Sequence, residues 1–507
     1  MGTPLILDMA ASSHPDRAAF TVDGTTLDYA QFAELVALVG AELQRSGARH
    51  VVFLGGSGVE LPAVLFGAAY AGLPFTPLNY RLGDLQLTRL LNRIDDAIVI
   101  VDAAYVDAVR EVSHPVRTCD AFMRQARAAA DKPLPPVDID EESPAVILFT
   151  SGTTSEPKGV VLRHSHLMSY VMETCEFGSA APSDAALISV PPYHVAGVGT
   201  ILTNTYAGRR MVYLPQFTPE RWVALAREEH VTSAMVVPTM LERIIRSTGG
   251  VPLDLPALRT LSYGGARLPR PTLEQALRTF PDVGFVNAYG LTETSSTIAL
   301  LGPDDHRDAF HSDDPQVQAR LASIGRPVPG VEVEIRGFDG LPVRTAEQGE
   351  LWVRGPQVSG EYMGAHSTLD KEGWFPTRDV AYQDAAGYLY IIGRNDDTII
   401  RGGENIAPAE IEDVLIEHPL VQSAVVVGVP DEQWGEATAA AVVLEPDNEL
   451  DVEELRQYVR ARLRGSRTPD RVVYLDELPV TPSGKILRKD IVAHIKQTSA
   501  TASGQPG

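Results

Sequence analysis

Val146-Ile147-Leu148-Phe149-Thr150-Ser151-Gly152-Thr153-Thr154-Ser155-Glu156-Pro157-Lys158-Gly159-Val160-Val161-Leu162 is the stretch that decides how this chain is read. Its first four apolar residues have the pattern of a short buried strand, and Val160 to Leu162 that of a second one. Between them stand hydroxyl-bearing residues, two glycines and Lys158. Hydroxyls and free backbone N–H groups in such a loop can wrap the oxygens of a polyphosphate, and a lysine adds a charge-assisted contact. The spacing is not that of the common nucleotide loop, where Gly-x4-Gly-Lys runs into Ser or Thr and opens a helix. Here Lys158 precedes the last glycine and a strand follows. The expectation is a phosphate-gripping hairpin with no helix dipole beneath it. Composition alone describes an ordinary turn, because Ser, Thr, Gly and Pro cluster in turns. The order of the other motifs has to separate the two readings.

Before the hairpin, strand and helix patterns alternate. Phe20-Thr21-Val22-Asp23-Gly24 starts like a hairpin, residues 29–46 have helical apolar spacing, 51–54 read as a strand, 60–71 as a helix and 97–101 as a strand. Such alternation implies a parallel, doubly wound sheet. Gly55-Gly56-Ser57-Gly58 lacks the dinucleotide spacing and has no acidic partner, so tight-turn glycines are the simpler account. Residues 103–143 read as surface helix and connector. Residues 320–395 alternate as in Val331-Glu332-Val333-Glu334-Ile335 and predict a β-rich subdomain. Past Arg394 the pattern changes: an amphipathic helix over 408–418 with Ile411, Val414 and Leu415 on one face, strands over 421–429 and 437–444, and a helix over 452–463. That makes an α+β unit of about a hundred residues. The expected fold is therefore α/β, a large N-terminal domain of doubly wound sheets plus a β-rich subdomain, followed by a small mobile α+β C-terminal domain. The boundaries are 1–394, a hinge at 395–397, 398–497, and a frayed tail over 498–507.

Composition narrows the function. The 507 residues carry 43 basic and 66 acidic side chains, a net charge of −23, which argues against nonspecific binding of nucleic acid or anionic membranes. Only Cys119 and Cys175 are present, which suggests a reducing compartment and no disulfide framework. The N-terminus has no basic, apolar secretion signal. The most apolar stretch, 61–75, is short and broken by glycine and proline, so no membrane span is expected. A cytoplasmic protein follows as the expectation.

Thr-Ser-Gly-Thr-Thr-x-x-Pro-Lys-Gly, residues 150–159, resembles the signature loop of the adenylate-forming superfamily, which includes acyl-CoA synthetases, firefly-type luciferases and the adenylation domains of peptide synthetases. It departs at Ser155, where the family usually has glycine. Further blocks follow in family order: Pro191-Pro192-Tyr193-His194, Ser262-Tyr263-Gly264-Gly265-Ala266, Val286-Asn287-Ala288-Tyr289-Gly290-Leu291-Thr292-Glu293-Thr294, Trp374-Phe375-Pro376-Thr377-Arg378-Asp379, Tyr390-Ile391-Ile392-Gly393-Arg394-Asn395-Asp396 and Pro482-Ser483-Gly484-Lys485. Arg378 replaces another customary glycine. The resemblance covers essentially the whole chain and implies an enzyme of the acyl-CoA synthetase type, using ATP, Mg²⁺ and coenzyme A to turn a carboxylic acid into a thioester by way of an acyl-adenylate.

The resemblance also implies residue roles. Thr150, Ser151, Gly152, Thr153, Thr154 and Lys158 would grip the phosphates of ATP. Gly264, Gly265 and Ala266 would border the adenine and the acyl pocket, Asn287, Ala288, Tyr289 and Gly290 would continue that wall, and Tyr289 would pack on the adenine. Thr292 would hold the α-phosphate and Glu293 would bind Mg²⁺. Asp379 would accept both ribose hydroxyls, with Ile391 and Arg394 beside it. His194, Val195 and Gly199 would line the acyl pocket with Gly264, Gly265 and Gly290. Lys485 would enter the site for adenylation. The C-terminal domain would then rotate about Asp396 and bring Arg401, Gly402, Gly403 and Glu404 to the coenzyme A path. The stretch 195–202 is small and apolar without a charge to pair with an amino acid, which points to an apolar acyl or aryl acid. Three rivals stay open: a freestanding enzyme that loads an acyl carrier protein, a luciferase-like oxygenase, and a non-catalytic nucleotide-binding protein. Monomer and homodimer are both compatible with the sequence.

Overall fold

A computed structural model describes residues 2–132, 134–150, 157–337, 339–402, 404–431, 433–463, 465–480 and 486–502. Two sheets and the helices between them form the bulk of the N-terminal region. The first sheet has six strands in the order Val116–Thr118, Ala97–Val101, His50–Leu54, Phe75–Pro77, Pro144–Thr150, Lys158–Arg163. Its pairs are parallel except the last, an antiparallel hairpin with Thr150 opposite Lys158. The second has nine strands. Its centre, Gly284–Leu291, Thr260–Gly264, Ser233–Val236, Ala185–Ile188, Arg210–Tyr213 and Ala18–Val22, is parallel, with antiparallel strands at both edges. The doubly wound expectation is met, with antiparallel edges added to it.

Local sequence accounts for the helices. Asp28 accepts a hydrogen bond from the Gln31 N–H and Gln31 Oε1 accepts one from the Asp28 N–H, a reciprocal cap that starts the helix Tyr29–Ser46. Gly47 ends it at φ 69°. Phe32, Leu35, Val36 and Val39 then recur at helical spacing on the buried side. They join Phe66, Val146, Leu148, Leu167, Val198, Ile188 and Met211 in one core shared by both sheets. A second core around Trp222, Leu241, Tyr263 and Phe285 covers the opposite face of the larger sheet.

The β-rich subdomain is a four-stranded antiparallel sheet, Glu332–Arg336, Gly349–Arg354, Phe375–Gln383 and Leu389–Arg394. One short turn, Asn395–Asp397, joins it to the C-terminal sheet, whose long hairpin is Val421–Asp431 with Gly435–Leu444. Two apolar clusters fill the two faces of that hairpin.

The differences from the sequence reading lie mostly in weakly patterned segments. A helix Pro4–Ser13 buries Ile6, Leu7 and Ala10, and Val116–Thr118 adds an edge strand in a region expected to be helix and connector. The last helix, expected over 486–495, is Arg488–Ala502. It continues into residues 498–502, which the sequence assigns to a frayed tail. In it the Thr498 hydroxyl donates to the His494 carbonyl one turn back. Among the described residues no helix is long and apolar enough to cross a membrane.

Candidate active site

The hairpin expected at 146–162 is present in its flanks. Thr150 and Lys158 close it, Thr150 Oγ1 lying 3.4 Å from the Lys158 carbonyl. Ser151, Gly152, Thr153, Thr154 and the departure Ser155 fall outside the described residues. The strand Lys158–Arg163 runs on into the helix His164–Thr174, so the expected absence of a helix directly under the loop holds. A segment without helix or strand pattern, 359–363, docks on the hairpin: Met363 N–H donates to the Gly159 carbonyl and Val161 N–H to the Glu361 carbonyl. Arg163 clamps it through two parallel bonds to Glu361, both at 2.9 Å. This docking delivers Tyr362, which the sequence reading missed. Its hydroxyl donates to Glu293 Oε1 at 2.8 Å, and Lys158 Nζ stands 5.4 Å from its ring centre. Burial, then the Glu293 charge, pushes the Tyr362 phenol well up, so it stays a donor. A tyrosine between glycines carries no chemistry by spacing alone, which is why nothing flagged it.

Thr292 and Glu293 sit in a tight turn at the end of the strand Gly284–Leu291. The next residues are strained: Ser295 has φ 56° and Ser296 φ 119°, conformations that non-glycine residues hold only where their surroundings enforce them. Gln357 supplies the enforcement. Its amide donates to the Thr294 and Thr297 carbonyls, each at 2.9 Å, and its own carbonyl accepts from Ser295 Oγ. The carboxylate of Glu293 is thereby presented from a braced turn. Among the described residues no group of three or more His, Cys, Asp or Glu forms a metal cage. A single carboxylate suits an ion such as Mg²⁺, which takes one or two carboxylates and fills its octahedron with phosphate oxygens and water.

Tyr289, Asp379 and Arg394, placed together only by the motif resemblance, meet in space. Tyr289 Oη donates to Asp379 Oδ2. Arg394 Nε lies 3.0 Å from Asp379 Oδ1, an ion pair without the alignment of a hydrogen bond. Asp379 and Arg394 face each other across paired strands. Burial first, and then the Asp379 charge, raises the Tyr289 phenol far above its usual range. Asn287 is turned to the Ser323 carbonyl at 3.2 Å. Ile391 is half-buried on the strand beside Arg394. Gly264, Gly265 and Ala266 end the neighbouring strand, the last two exposed.

The glycines have a local reason that the sequence did not show. A Cβ on Gly264 would stand 2.3 Å from the Ala288 carbonyl oxygen, and one on Gly290 1.7 Å from that of Ser296. They are needed first for strand-to-strand contact, whatever ligand approaches later.

His194 caps the helix Val195–Ala207. Its Nε2 is buried with no hydrogen-bond partner, as is the neighbouring Tyr193 hydroxyl. Burial lowers the imidazole to about 4, so it is neutral near pH 7. Beside it, the inner face of the larger sheet opens. On the strands flanking the dry core, Met235, Ser262 and Val286 are partly exposed although they lie mid-sheet, as is Ser189 just past the end of the strand Ala185–Ile188. Helix Val195–Ala207 faces them with Ala196 and Thr200, Thr200 Oγ1 lying 4.0 Å from Met235 Sδ. At the far end a Cβ on Gly199 would meet the Tyr170 ring at 3.2 Å. Partly exposed sheet positions thus face this helix, with the Tyr170 ring beyond Gly199. Hydroxyls of Ser189, Thr200 and Ser262 share this face, so it is less uniformly apolar than the stretch 195–202 suggested.

The remaining expectations concern the C-terminal region. Asp396 lies in the joining turn and pairs with Arg378 at 3.8 Å, while Asp397 pairs with Arg488 at 3.4 Å. Arg401 pairs with Asp470, Gly402 donates to the Trp434 carbonyl at φ 57°, and Glu404 pairs with Arg467. These contacts tie the hairpin tip to its own sheet. Gly403 and Lys485 lie outside the described residues.

Comparison with known proteins completes the picture. Residues 7–363 match the AMP-binding enzyme family and 410–485 the AMP-binding enzyme C-terminal domain. Indoleacetate–CoA ligase of Aromatoleum aromaticum is 32% identical over 507 residues, covering 96% of each chain. Feruloyl-CoA synthase of an Amycolatopsis species is 33% identical over 488 residues, covering 95% of this chain and 96% of its own. The o-succinylbenzoate CoA synthetase of Bacillus subtilis, solved with its acyl-adenylate intermediate, superposes with a TM-score of 0.83 at 26% identity over 97% of this chain and 98% of its own. With the hairpin, the braced Glu293 turn and the Tyr289–Asp379–Arg394 set all in place, the chain belongs to the AMP-binding enzyme family, the adenylate-forming acid–thiol ligases of acyl-CoA synthetase type.

Proposed function

We propose that this enzyme joins a ring-bearing, uncharged-tailed carboxylic acid to coenzyme A at the expense of ATP. The reaction has two halves. A carboxylate oxygen bonds to the α-phosphorus of ATP as the bond to the β-phosphate oxygen breaks, giving acyl-adenylate and pyrophosphate. The thiol sulfur then bonds to the acyl carbon, AMP leaves with the carboxylate oxygen it received, and the thiol proton passes to solvent. Neither half needs a protein nucleophile; both need positioning and charge neutralisation.

The residues fit that division. Asp379 would accept from the ribose hydroxyls, its orientation fixed by Tyr289 and Arg394. Lys158 and the loop hydroxyls from Thr150 to Thr154 would hold the phosphates, with Thr292 at the α-phosphate. Glu293, steadied by Tyr362, would ligate Mg²⁺, which when bound neutralises phosphate charge. Lys485 would approach the attacking carboxylate. His194, neutral and with a free nitrogen, would orient the acyl group at the inner face of the larger sheet. Rotation at Asp396 would bring the tip Arg401–Glu404 to the thiol path. Two unpaired cysteines are in keeping with a reducing, cytoplasmic setting.

The observation that carries the substrate class is the face beside His194. The residues facing one another there carry no charge and the Tyr170 ring stands beyond Gly199, which we read as favouring a flat ring over a long flexible chain. Relatives named for indoleacetate and ferulate agree with a ring. The test is a pyrophosphate-release screen over aliphatic, aromatic and polycyclic acids, followed by thioester assays with coenzyme A and with acyl carrier proteins. Arylalkanoic or arylpropenoic acids should rank first and coenzyme A should accept the acyl group. Preference for long aliphatic acids, or transfer to a carrier protein alone, would overturn the corresponding half of the reading.

A further inference from the structure

Lys158 and Glu293 carry opposite charges, and both touch one side chain, that of Tyr362. Lys158 Nζ lies 5.4 Å from the centre of the Tyr362 ring, and the Tyr362 hydroxyl donates to Glu293 Oε1 at 2.8 Å. Among the described residues no ion pair joins the two charges directly. With a single aromatic side chain between them they attract one another, and without it they could meet.

The tyrosine is held there from two sides. Segment 359–363 crosses from the Glu293 turn to the hairpin and bonds to each. The Ser359 N–H donates to the Glu293 carbonyl at 2.8 Å, and the Ser359 hydroxyl donates to the Val161 carbonyl. The Val161 N–H donates to the Glu361 carbonyl at 3.0 Å, and the Met363 N–H to the Gly159 carbonyl at 2.7 Å. Val160 and Tyr362 pair as an antiparallel bridge. Arg163 grips the Glu361 carboxylate with two bonds. The backbone on both sides of Tyr362 is thus fixed to the two elements whose charges it separates.

The chemistry of the two contacts decides what such a residue can do. A phenol is a neutral donor, so it orients a carboxylate without cancelling its charge. A ring face attracts an ammonium through its quadrupole, again without cancelling the charge. Arginine or lysine at this place would neutralise Glu293, and a carboxylate would neutralise Lys158. The hydroxyl engages Oε1 of Glu293 and leaves Oε2 for an ion.

We propose that Tyr362 is a positioning residue that keeps Lys158 and Glu293 apart before ATP arrives, so that the lysine charge stays available to phosphate and the carboxylate charge to the metal. This rests on the reading above, in which Lys158 holds phosphate and Glu293 ligates Mg²⁺.

Equilibrium binding tests it without any acid substrate or turnover. Dissociation constants of ATP are measured by calorimetry in EDTA and in excess Mg²⁺ on wild type, Tyr362→Phe, Tyr362→Leu, Glu293→Gln and the double variant Tyr362→Leu/Glu293→Gln, with thermal melting alongside. Tyr362→Phe keeps the ring and loses the bond to Glu293. It should weaken Mg-ATP by about 10-fold, as when a partner of a metal-binding carboxylate is lost, and leave metal-free ATP unchanged. Tyr362→Leu removes the separator, so Lys158 is drawn to Glu293 and metal-free ATP should bind up to about 5-fold more weakly, the scale of one exposed ion pair. Glu293→Gln should then tighten metal-free ATP more in Tyr362→Leu than in wild type, because it releases the captured lysine; this coupling is what mere loss of packing would not produce. Tyr362→Met takes the place of Tyr362→Leu if the latter melts early. Unchanged or tighter Mg-ATP binding in Tyr362→Phe, or equal weakening with and without Mg²⁺, overturns the metal half of the proposal. Additive effects of Tyr362→Leu and Glu293→Gln, or early melting of both Leu and Met variants, overturn the charge-separation half. A Glu293→Gln enzyme that keeps the wild-type Mg²⁺ dependence would instead sink the reading of Glu293 as a metal ligand, while the metal-free cycle would still decide whether Tyr362 keeps the lysine from the carboxylate.

Discussion

Asp379 and Asp396 carry the same charge and each faces an arginine, yet they are held in opposite ways. Asp379 has a side chain only 8% exposed and stands 3.0 Å from Arg394, with the Tyr289 hydroxyl on its other oxygen. Asp396 is 35% exposed and 3.8 Å from Arg378. A buried carboxylate stripped of its partners costs several kcal/mol, whereas an exposed pair is worth about 0–1 kcal/mol. The first arrangement cannot open cheaply, so it suits a fixed nucleotide seat. The second exchanges partners at almost no cost, so it suits a joint. The arginines differ likewise: Arg394 also reaches the Thr377 carbonyl at 3.3 Å, while Arg378 has the strained backbone and no hydrogen bond from its side chain among the described residues. Nineteen residues of chain, 378–396, thus hold a tightly paired carboxylate and a loosely paired one.

Removing the rigid member should have the largest effect. Asp379→Ala takes the carboxylate away from the buried Tyr289 hydroxyl and from Arg394, whose side chain is 35% exposed and keeps its bond to the Thr377 carbonyl, so unfolding by urea should show a loss of about 1–3 kcal/mol, and adenylate formation should fall by about 100-fold or more. A melting curve within a degree of wild type would show that the seat is not held by this pair.

Acid should discriminate burial from pairing next. Burial lowers His164, His194 and His306 each to about 4. His164 Nδ1 accepts from Thr3, and His306 donates to the Gly302 carbonyl while facing the Tyr263 hydroxyl, both arrangements of a neutral ring. The unfolded histidines take protons near pH 6.5 and the folded ones only near 4. Stability is therefore complete above about pH 6.5 and lost as pH falls towards 4, by up to about 3 kcal/mol per residue. His306→Gln should flatten that decline in denaturant titrations between pH 4 and 7. An unchanged slope would mean that the ring titrates normally in the folded protein.

Fixing the movable member comes third. Asp396→Pro restricts φ to near −65° and should leave adenylate formation within about 3-fold of wild type while slowing thioester formation by about 100-fold, on the scale by which lost conformational steps limit turnover. Wild-type rates in both halves would move the joint elsewhere. The smallest effect belongs to Asp397→Asn. Its pair with Arg488 spans 3.4 Å at the surface, so stability should change by about 0.5 kcal/mol or less and by nothing measurable in 0.5 M salt. A loss above about 2 kcal/mol would erase the contrast between seat and joint.

Much of this was present in the one-dimensional chain. The helix over residues 29–46 could be placed to the residue because its cap, its apolar spacing and Gly47 all act within a few positions. The hairpin over 146–162 was legible from two short continuous apolar runs and the β-rich subdomain from period-two patterning, both local signals. The motif series named Tyr289, Glu293, Asp379 and Arg394 because their order along the chain is itself a strong signal. Other things depended on contacts between residues far apart in sequence. Tyr362 gains its part from a docking 198 residues removed from Arg163, Gln357 from bonds across 63 and 60 residues, and the face beside His194 from partly exposed residues on three strands and one strand end. Gly264 and Gly290 looked like ligand-approach glycines and proved to be strand-contact glycines as well, because only the register of neighbouring strands sets a carbonyl against them. Propensity, caps and motif order are short-range and survive in sequence. Burial, register and the partner of a lone tyrosine are decided by which surfaces meet when the chain closes on itself, and only the tertiary structure holds that information.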